Sequence, residues 1–187
     1  MSSLADRLLA VHEALEGAGF AHAFGGAIAL AYCTQEPRGT RDLDVNIFAE
    51  PSRAGEVLAA LPRGVTIGPA DIRAAERDGQ VRVWWGDTPL DVFLDVHSFH
   101  RQLAAGVRLV PFAGHEIPVL GCTALVVFKA LFDRTRDWAD IEAVAEAGSA
   151  DLAEASAWVQ RVLGSDTPIS RRLTALAGWV RQSPPRR

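Results

Sequence analysis

The chain has 187 residues, of which 49% are hydrophobic and 22% charged, with a formal net charge of −4. That length suits one domain with a helical appendage, and the composition can build a core, which excludes a disordered chain. The acidic balance excludes a broadly basic nucleic-acid-binding surface while leaving room for a local arginine patch, and no apolar run reaches membrane-spanning length.

In chain order, residues 1–19 read as an amphipathic helix with Leu4, Leu8, Leu9, Val11 and Leu15 on one side. Charges interrupt this stretch, so it is not a signal peptide. Residues 20–24 form a short strand entering Gly25-Gly26, residues 27–33 a short buried helix, and residues 35–39 a loop. A strand over 42–48 follows, then a helix running to Leu61 with Ser52 as its N-cap. Residues 62–69 are turn-rich, with a strand at 65–67. Residues 80–85 and 90–96 flank Gly86-Asp87-Thr88-Pro89 as a hairpin, and 107–112 with 116–119 make a second around Gly114. From Cys122 the pattern turns helical, in three or four helices ending near Arg181, before a tail over 183–187 that should be disordered. The layout is α/β (α+β): a core over 1–120 built on a mixed sheet flanked by helices, with a C-terminal helical bundle over 121–182 packing on it. Cys33 and Cys122 lie far apart in apolar helical stretches and are expected as buried free thiols, which fits a cytoplasmic setting.

The strand Leu43-Asp44-Val45-Asn46-Ile47 alternates apolar and polar residues, the period of a half-buried strand. Asp42 and Asp44 therefore leave one face while Leu43, Val45 and Ile47 enter the core. Two positions along a strand span about 7 Å, which lets both carboxylates lean onto one hard cation that prefers oxygen ligands. Gly25 and Gly26 allow backbone to approach a phosphate closely at a helix start. A third carboxylate is offered by Leu90-Asp91-Val92-Phe93-Leu94-Asp95-Val96, where alternation puts Asp91 and Asp95 on the same face without choosing between them. Asp95 has a second reading as a strand-end charge beside His97. His97 and His100, three apart, lack the further ligand that a zinc site needs. Trp84, Trp85, Phe93 and Phe99 read as core side chains rather than base-stacking platforms.

Gly25-Gly26 followed by Arg38-Gly39-Thr40-Arg41-Asp42-Leu43-Asp44 resembles the signature of the DNA polymerase β-type nucleotidyltransferases. The likeness runs over residues 20–144 and is nearest to the minimal AbiEii/AbiGii-type enzymes, many of them toxins of bacterial toxin–antitoxin pairs. The resemblance implies transfer of a nucleoside monophosphate from an NTP to an acceptor hydroxyl, with Mg²⁺ (or Mn²⁺) held by Asp42, Asp44 and Asp91; it favours Asp91 over Asp95. Two ions about 3.5–4 Å apart would hold the attacking and leaving oxygens, and Asp91 would also take the acceptor's proton. Gly25, Gly26, Arg38, Thr40 and Arg41 would serve the nucleotide, the two glycines through backbone N–H groups. Lys129-Ala-Leu-Phe-Asp133-Arg134-Thr-Arg136-Asp137-Trp-Ala-Asp140 resembles the family's downstream motif, in which Lys129 would touch the triphosphate and Asp137 would orient the sugar, a basic partner or the acceptor. Lys129 and Asp133, four apart, would share a helix face. The implied acceptor is an RNA or tRNA 3′ end, with an antitoxin protein as partner and no membrane association. The alternatives are an enzyme modifying an aminoglycoside or lincosamide antibiotic, and a non-catalytic nucleotide-binding or interaction domain.

Overall fold

The computed structural model describes residues 3–96, 99 and 106–182, and the chain divides into two compact units. The first takes the chain up to Ile28 together with Gly39–Leu120; the second takes Ala29–Arg38 and the chain from Gly121 onward. His97, His100 and the tail over 183–187 lie outside the described residues.

The first unit contains α1 (Leu4–Gly17), β1 (His22–Phe24), the first turn of α2 (Gly26–Thr34) and β2 (Leu43–Ile47). A 3-10 turn, Pro51–Arg53, then runs into α3 (Ala54–Ala59). After these come β3 (Val65–Thr66), α4 (Pro69–Asp78), β4 (Gln80–Trp85), β5 (Thr88–Phe93), β6 (Arg108–Phe112) and β7 (His115–Val119). The strands form one mixed sheet in the order β3-β4-β5-β2-β1-β7-β6. At its centre β2 runs antiparallel to β1 and parallel to β5. This is the α/β architecture that the alternation of periods in the sequence announces.

Local chemistry explains the elements. Ser3 and Asp6 close a capping box at the start of α1, with Ser3 Oγ accepting from the Asp6 amide at 3.1 Å and the Asp6 carboxylate accepting from the Ser3 amide at 2.8 Å. The inner face of α1 then buries Leu8, Val11 and Leu15 completely, each contributing about 1.5–3 kcal/mol of burial. Arg7 on the same helix reaches the β4–β5 turn, donating to the Asp87 carboxylate at 3.0 Å and to Thr88 Oγ1. In the sheet, Leu43, Val45, Leu90 and Val92 are all buried.

Four features depart from the sequence reading. Ser52 caps nothing, because it lies inside the 3-10 turn and α3 starts two residues later. Helix α4 is absent from the sequence reading, since the segment is polar on average and only Ala75 along it is fully enclosed. Its ends are nonetheless well specified, by Pro69 at the first turn, by the Asp71 carboxylate accepting from the Gly68 amide at 2.7 Å, and by Gly79 in the left-handed conformation. The β4–β5 turn has two residues, Gly86-Asp87, rather than four, so β5 begins at Thr88. Trp84 is 47% exposed rather than core, while Phe99 is buried.

His22 on β1 is buried and donates from Nδ1 to the Phe20 carbonyl at 2.9 Å. A carbonyl only accepts, so the Nδ1 proton leaves Nε2 as the acceptor for the His12 ring nitrogen 3.0 Å away. Burial pushes the His22 pKa down from 6.5; the Phe20 carbonyl opposes this, His12 adds to it and Glu16 opposes it. A depressed base contributes stability that is fully present above its unfolded pKa and lost as pH falls through the folded one. Wild-type protein is therefore expected to lose stability on acidification from about pH 6.5, and His22→Gln to flatten that slope in urea midpoints measured across the range.

The second unit comprises the remainder of α2 with α5 (Cys122–Phe132), α6 (Thr135–Glu146), α7 (Leu152–Leu163) and α8 (Pro168–Gln182). Leu125, Val126, Val127 and Ala130 of α5, with Ile141, Val144, Ala155, Val159 and Leu173, make its core. Cys33 on α2 and Cys122 at the start of α5 are joined as a disulfide with their Cα atoms 5.5 Å apart, which corrects the expectation of free thiols. Eighty-nine residues separate them, and linear distance conceals that two helix ends bring them within bridging range. The bridge also removes the support that free thiols lent to a cytoplasmic setting. No helix among the described residues is long and apolar enough to cross a membrane.

Candidate active site

The site in the first unit is laid out by sheet register. Strand β2 pairs with β5 in parallel, Leu43 with Leu90, Asp44 with Asp91 and Val45 with Val92. Residues paired in register share a face, so Asp44 and Asp91 project side by side, and Asp42 joins them from two positions earlier on the same side. Asp95 lies beyond the end of β5, its amide donating to the Ala49 carbonyl at 2.9 Å, so Asp91 is the carboxylate beside Asp44. The Thr40 hydroxyl donates to the Asp42 carboxylate. Arg41 is exposed.

A fourth charged group, which the sequence reading missed, belongs to this row. The two-residue turn sets Arg82 opposite Asp91 across the β4–β5 hairpin. The Arg82 Nε and Nη2 donate to the two Asp91 oxygens at 2.7 and 2.6 Å. The hydrogen bond to Asp91 raises the Arg82 pKa; burial opposes this, and the charges of Asp91, Asp42 and Asp44 add to it. A four-residue turn would have set Trp84 opposite Asp91, so turn length alone hid this pairing.

Gly25 and Gly26 sit against the carboxylates. The Gly25 amide donates to the Asp44 backbone carbonyl at 2.9 Å, which corrects the expectation that it faces a phosphate. Gly26 opens α2 with φ of +50°, and a Cβ placed there would collide with the Asp44 carboxylate. Any side chain at this position thus meets both backbone strain and a clash. Gly26→Ala is expected to shift the Asp44 carboxylate and destabilise the protein by about 1–3 kcal/mol, read as a lowered denaturant midpoint.

The donor types suit a hard cation: Asp44 and Asp91 are register partners on adjacent strands, and Asp42 lies one residue before β2. Asn46, two positions after Asp44, is buried, and its Oδ1 finds no hydrogen-bond partner among the described residues, which adds a neutral oxygen. Among the described residues no three His, Cys, Asp or Glu side chains stand together ready to hold a metal. Both Asp91 oxygens accept from Arg82 instead.

In the second unit Lys129, Asp137 and Arg38 converge on a residue that the sequence reading did not single out, Asp140. Arg38 donates to its two oxygens at 2.6 and 2.9 Å, and Lys129 Nζ to Oδ2 at 2.5 Å. Lys129 also lies 3.5 Å from Asp137, which is 0% exposed and accepts from Arg134 Nε at 2.6 Å. Burial pushes both carboxyls up, but hydrogen bonds from Arg134 to Asp137 and from Arg38 and Lys129 to Asp140, with the charges of these cations, outweigh it, and the net shift is down. Lys129 and Asp133 do not share a helix face as expected, because the helix ends at Phe132. Asp133 takes the left-handed cap of α5, and its carboxylate accepts from Trp138 Nε1 at 2.6 Å. The signal for Asp140 was its place one helical turn after Asp137, on the same face.

No protein-family model and no curated protein matches the sequence, so the narrower likeness to AbiEii/AbiGii-type enzymes rests on motifs alone. Solved structures do match. ANT(2")-Ia in complex with adenylyl-2"-tobramycin superposes with a TM-score of 0.57 at 14% identity, covering 97% of this chain and 98% of that one. The lincosamide antibiotic adenylyltransferase LnuA with lincomycin bound gives 0.50 at 12% identity over 74% and 94% of the two chains. An antigenic nucleotidyltransferase-like protein from Paracoccidioides brasiliensis gives 0.50 at 14% identity over 95% and 88%. The fold is that of the nucleotidyltransferases.

Proposed function

We propose that the protein is a metal-dependent nucleotidyltransferase that moves a nucleoside monophosphate from an NTP to an acceptor hydroxyl. The observation that carries this reading is the register pairing of Asp44 with Asp91 on parallel neighbours, with Asp42 on the same face and the Gly25-Gly26 turn packed on Asp44. In this reading Asp42 and Asp44 hold Mg²⁺ or Mn²⁺, which when bound neutralises charge developing on the triphosphate. Asp91 completes the cation's carboxylate set on the acceptor side and also takes the acceptor proton, a task that needs a carboxylate within hydrogen-bond reach. The first-turn amides of α2 after Gly25 face the leaving phosphates, and Thr40 fixes the Asp42 carboxylate. Gly25 acts by pinning the turn to β2 rather than by touching phosphate. Arg41 is the exposed cation beside this strand, whereas Lys129, Asp137 and Arg38 form an ion network with Asp140 within their own unit.

For the acceptor, the net charge of −4 and the carboxylate row favour a small cationic molecule over RNA. The similar structures of ANT(2")-Ia and LnuA carry antibiotic ligands, in keeping with this. An RNA 3′ end, a toxin role and an antitoxin partner form the second reading, supported by the Gly-Gly and Lys129-to-Asp137 motifs. Pyrophosphate release would be followed with each NTP and Mg²⁺, in the presence of aminoglycosides, lincosamides or total RNA. Release above an Asp44→Asn control identifies the acceptor, and no release with any combination overturns the proposal.

A further inference from the structure

Arg82 occupies the position that decides how the carboxylate row is held. Three strands present their charges side by side: Arg82 on β4, Asp91 on β5 and Asp44 on β2, each the register partner of the next. Without a cation, three carboxylates on one face repel one another, and the cheapest relief is to protonate one or to bring in positive charge. The fold supplies that charge as a guanidinium anchored on the adjacent strand, bound through two parallel hydrogen bonds at 2.7 and 2.6 Å. A bidentate pair of this kind fixes the plane of the Asp91 carboxyl as well as its charge. Both Asp91 oxygens are then directed at Arg82.

We infer that Arg82 is a positioning residue of the carboxylate site, a tethered counter-cation that holds Asp91 until a divalent cation displaces it. The inference rests on the nucleotidyl-transfer reading above and adds to it a competition: the cation and the guanidinium claim the same carboxylate. A fixed cation beside a cation site weakens that site through direct repulsion and through occupation of a ligand. Arg82 is half exposed, so it can turn to solvent when released without leaving a charge buried. A purely structural arginine predicts the opposite sign, because its loss would let Asp91 wander and would weaken cation binding.

The test titrates Mn²⁺ into the full chain by calorimetry, comparing wild type with Arg82→Gln, Arg82→Lys and Asp44→Asn, and follows thermal unfolding with and without chelator. Arg82→Gln is expected to bind Mn²⁺ about tenfold tighter than wild type, to melt lower in chelator, and to gain more from added Mn²⁺. Arg82→Lys, which keeps the charge but loses the fork, is expected in between, and it serves as the test if Arg82→Gln does not fold. Binding by wild type that Asp44→Asn abolishes but neither Arg82 variant tightens overturns this inference and leaves nucleotidyl transfer standing. No Mn²⁺ binding in wild type or in either Arg82 variant overturns both.

Discussion

Asp44→Asn is expected to lower the proposed nucleotidyl transfer by about a thousandfold or more while leaving the denaturant midpoint unchanged or slightly raised. A thousandfold loss corresponds to about 4 kcal/mol of transition-state stabilisation, the range expected when a charge that meets a triphosphate's cation is removed. The opposite sign for stability follows from position. Asp44 is the register partner of Asp91 on the adjacent strand, so neutralising it relieves like-charge repulsion. Asparagine also keeps the shape that packs on Gly26. Pyrophosphate release and urea unfolding on the same preparation separate the two effects. Activity within tenfold of wild type would remove the carboxylate row from the chemistry. A large fall in stability would show that the row serves the fold.

Lys129→Met is expected to carry the largest cost to stability of any single substitution in the second unit, about 3–5 kcal/mol. Lys129 Nζ is buried between Asp140 at 2.5 Å and Asp137 at 3.5 Å, and both carboxylates are almost wholly enclosed. Methionine replaces the stem but leaves the two buried anions with only Arg38 and Arg134, which are substantially exposed and screened. Adding Asp140→Asn removes one of the stranded charges, so the double variant is expected to recover more than 1 kcal/mol relative to additivity in a double-mutant cycle. The network also sets an acid limit. Asp137 and Asp140 have depressed folded-state pKa values, so they contribute stability that is present above the unfolded carboxylate value of 3.8 and is lost as pH falls through the folded ones. Without Lys129 those folded values rise, and the acid unfolding transition is expected to move to higher pH. Additive losses in the cycle would show that the three side chains do not act together.

Much of the first unit was legible because its strands obey a period of two with charged residues set into apolar runs. Asp42, Asp44 and the alternation around Asp91 are written directly in the sequence, and so are the Gly25-Gly26 turn and both hairpins. Alternation fixes the face of a residue but not its neighbour. Alternation alone left Asp91 and Asp95 open, the resemblance favoured Asp91, and the pairing of β2 with β5 sets it beside Asp44; the Arg82 partnership required the length of one turn. Helix α4 escaped because a polar helix with one enclosed alanine carries little apolar signal, although its caps were present in the sequence.

In the second unit the sequence determined that helices follow Cys122, since apolar spacing near 3.6 is a local property. It did not determine which charges meet. Lys129 has acidic residues at four, eight and eleven positions downstream, and the left-handed cap at Asp133 turns the nearest of them away while the α5–α6 turn brings Asp137 and Asp140 back. Cys33 and Cys122 follow the same rule, since a bridge needs two Cα atoms within a few ångströms and chain separation says nothing about that. What the sequence determined by itself was the periodicity, the caps and the donor types of the site. Register, turn length and helix return decided which of those donors meet, because they depend on backbone pairing between segments distant in the chain.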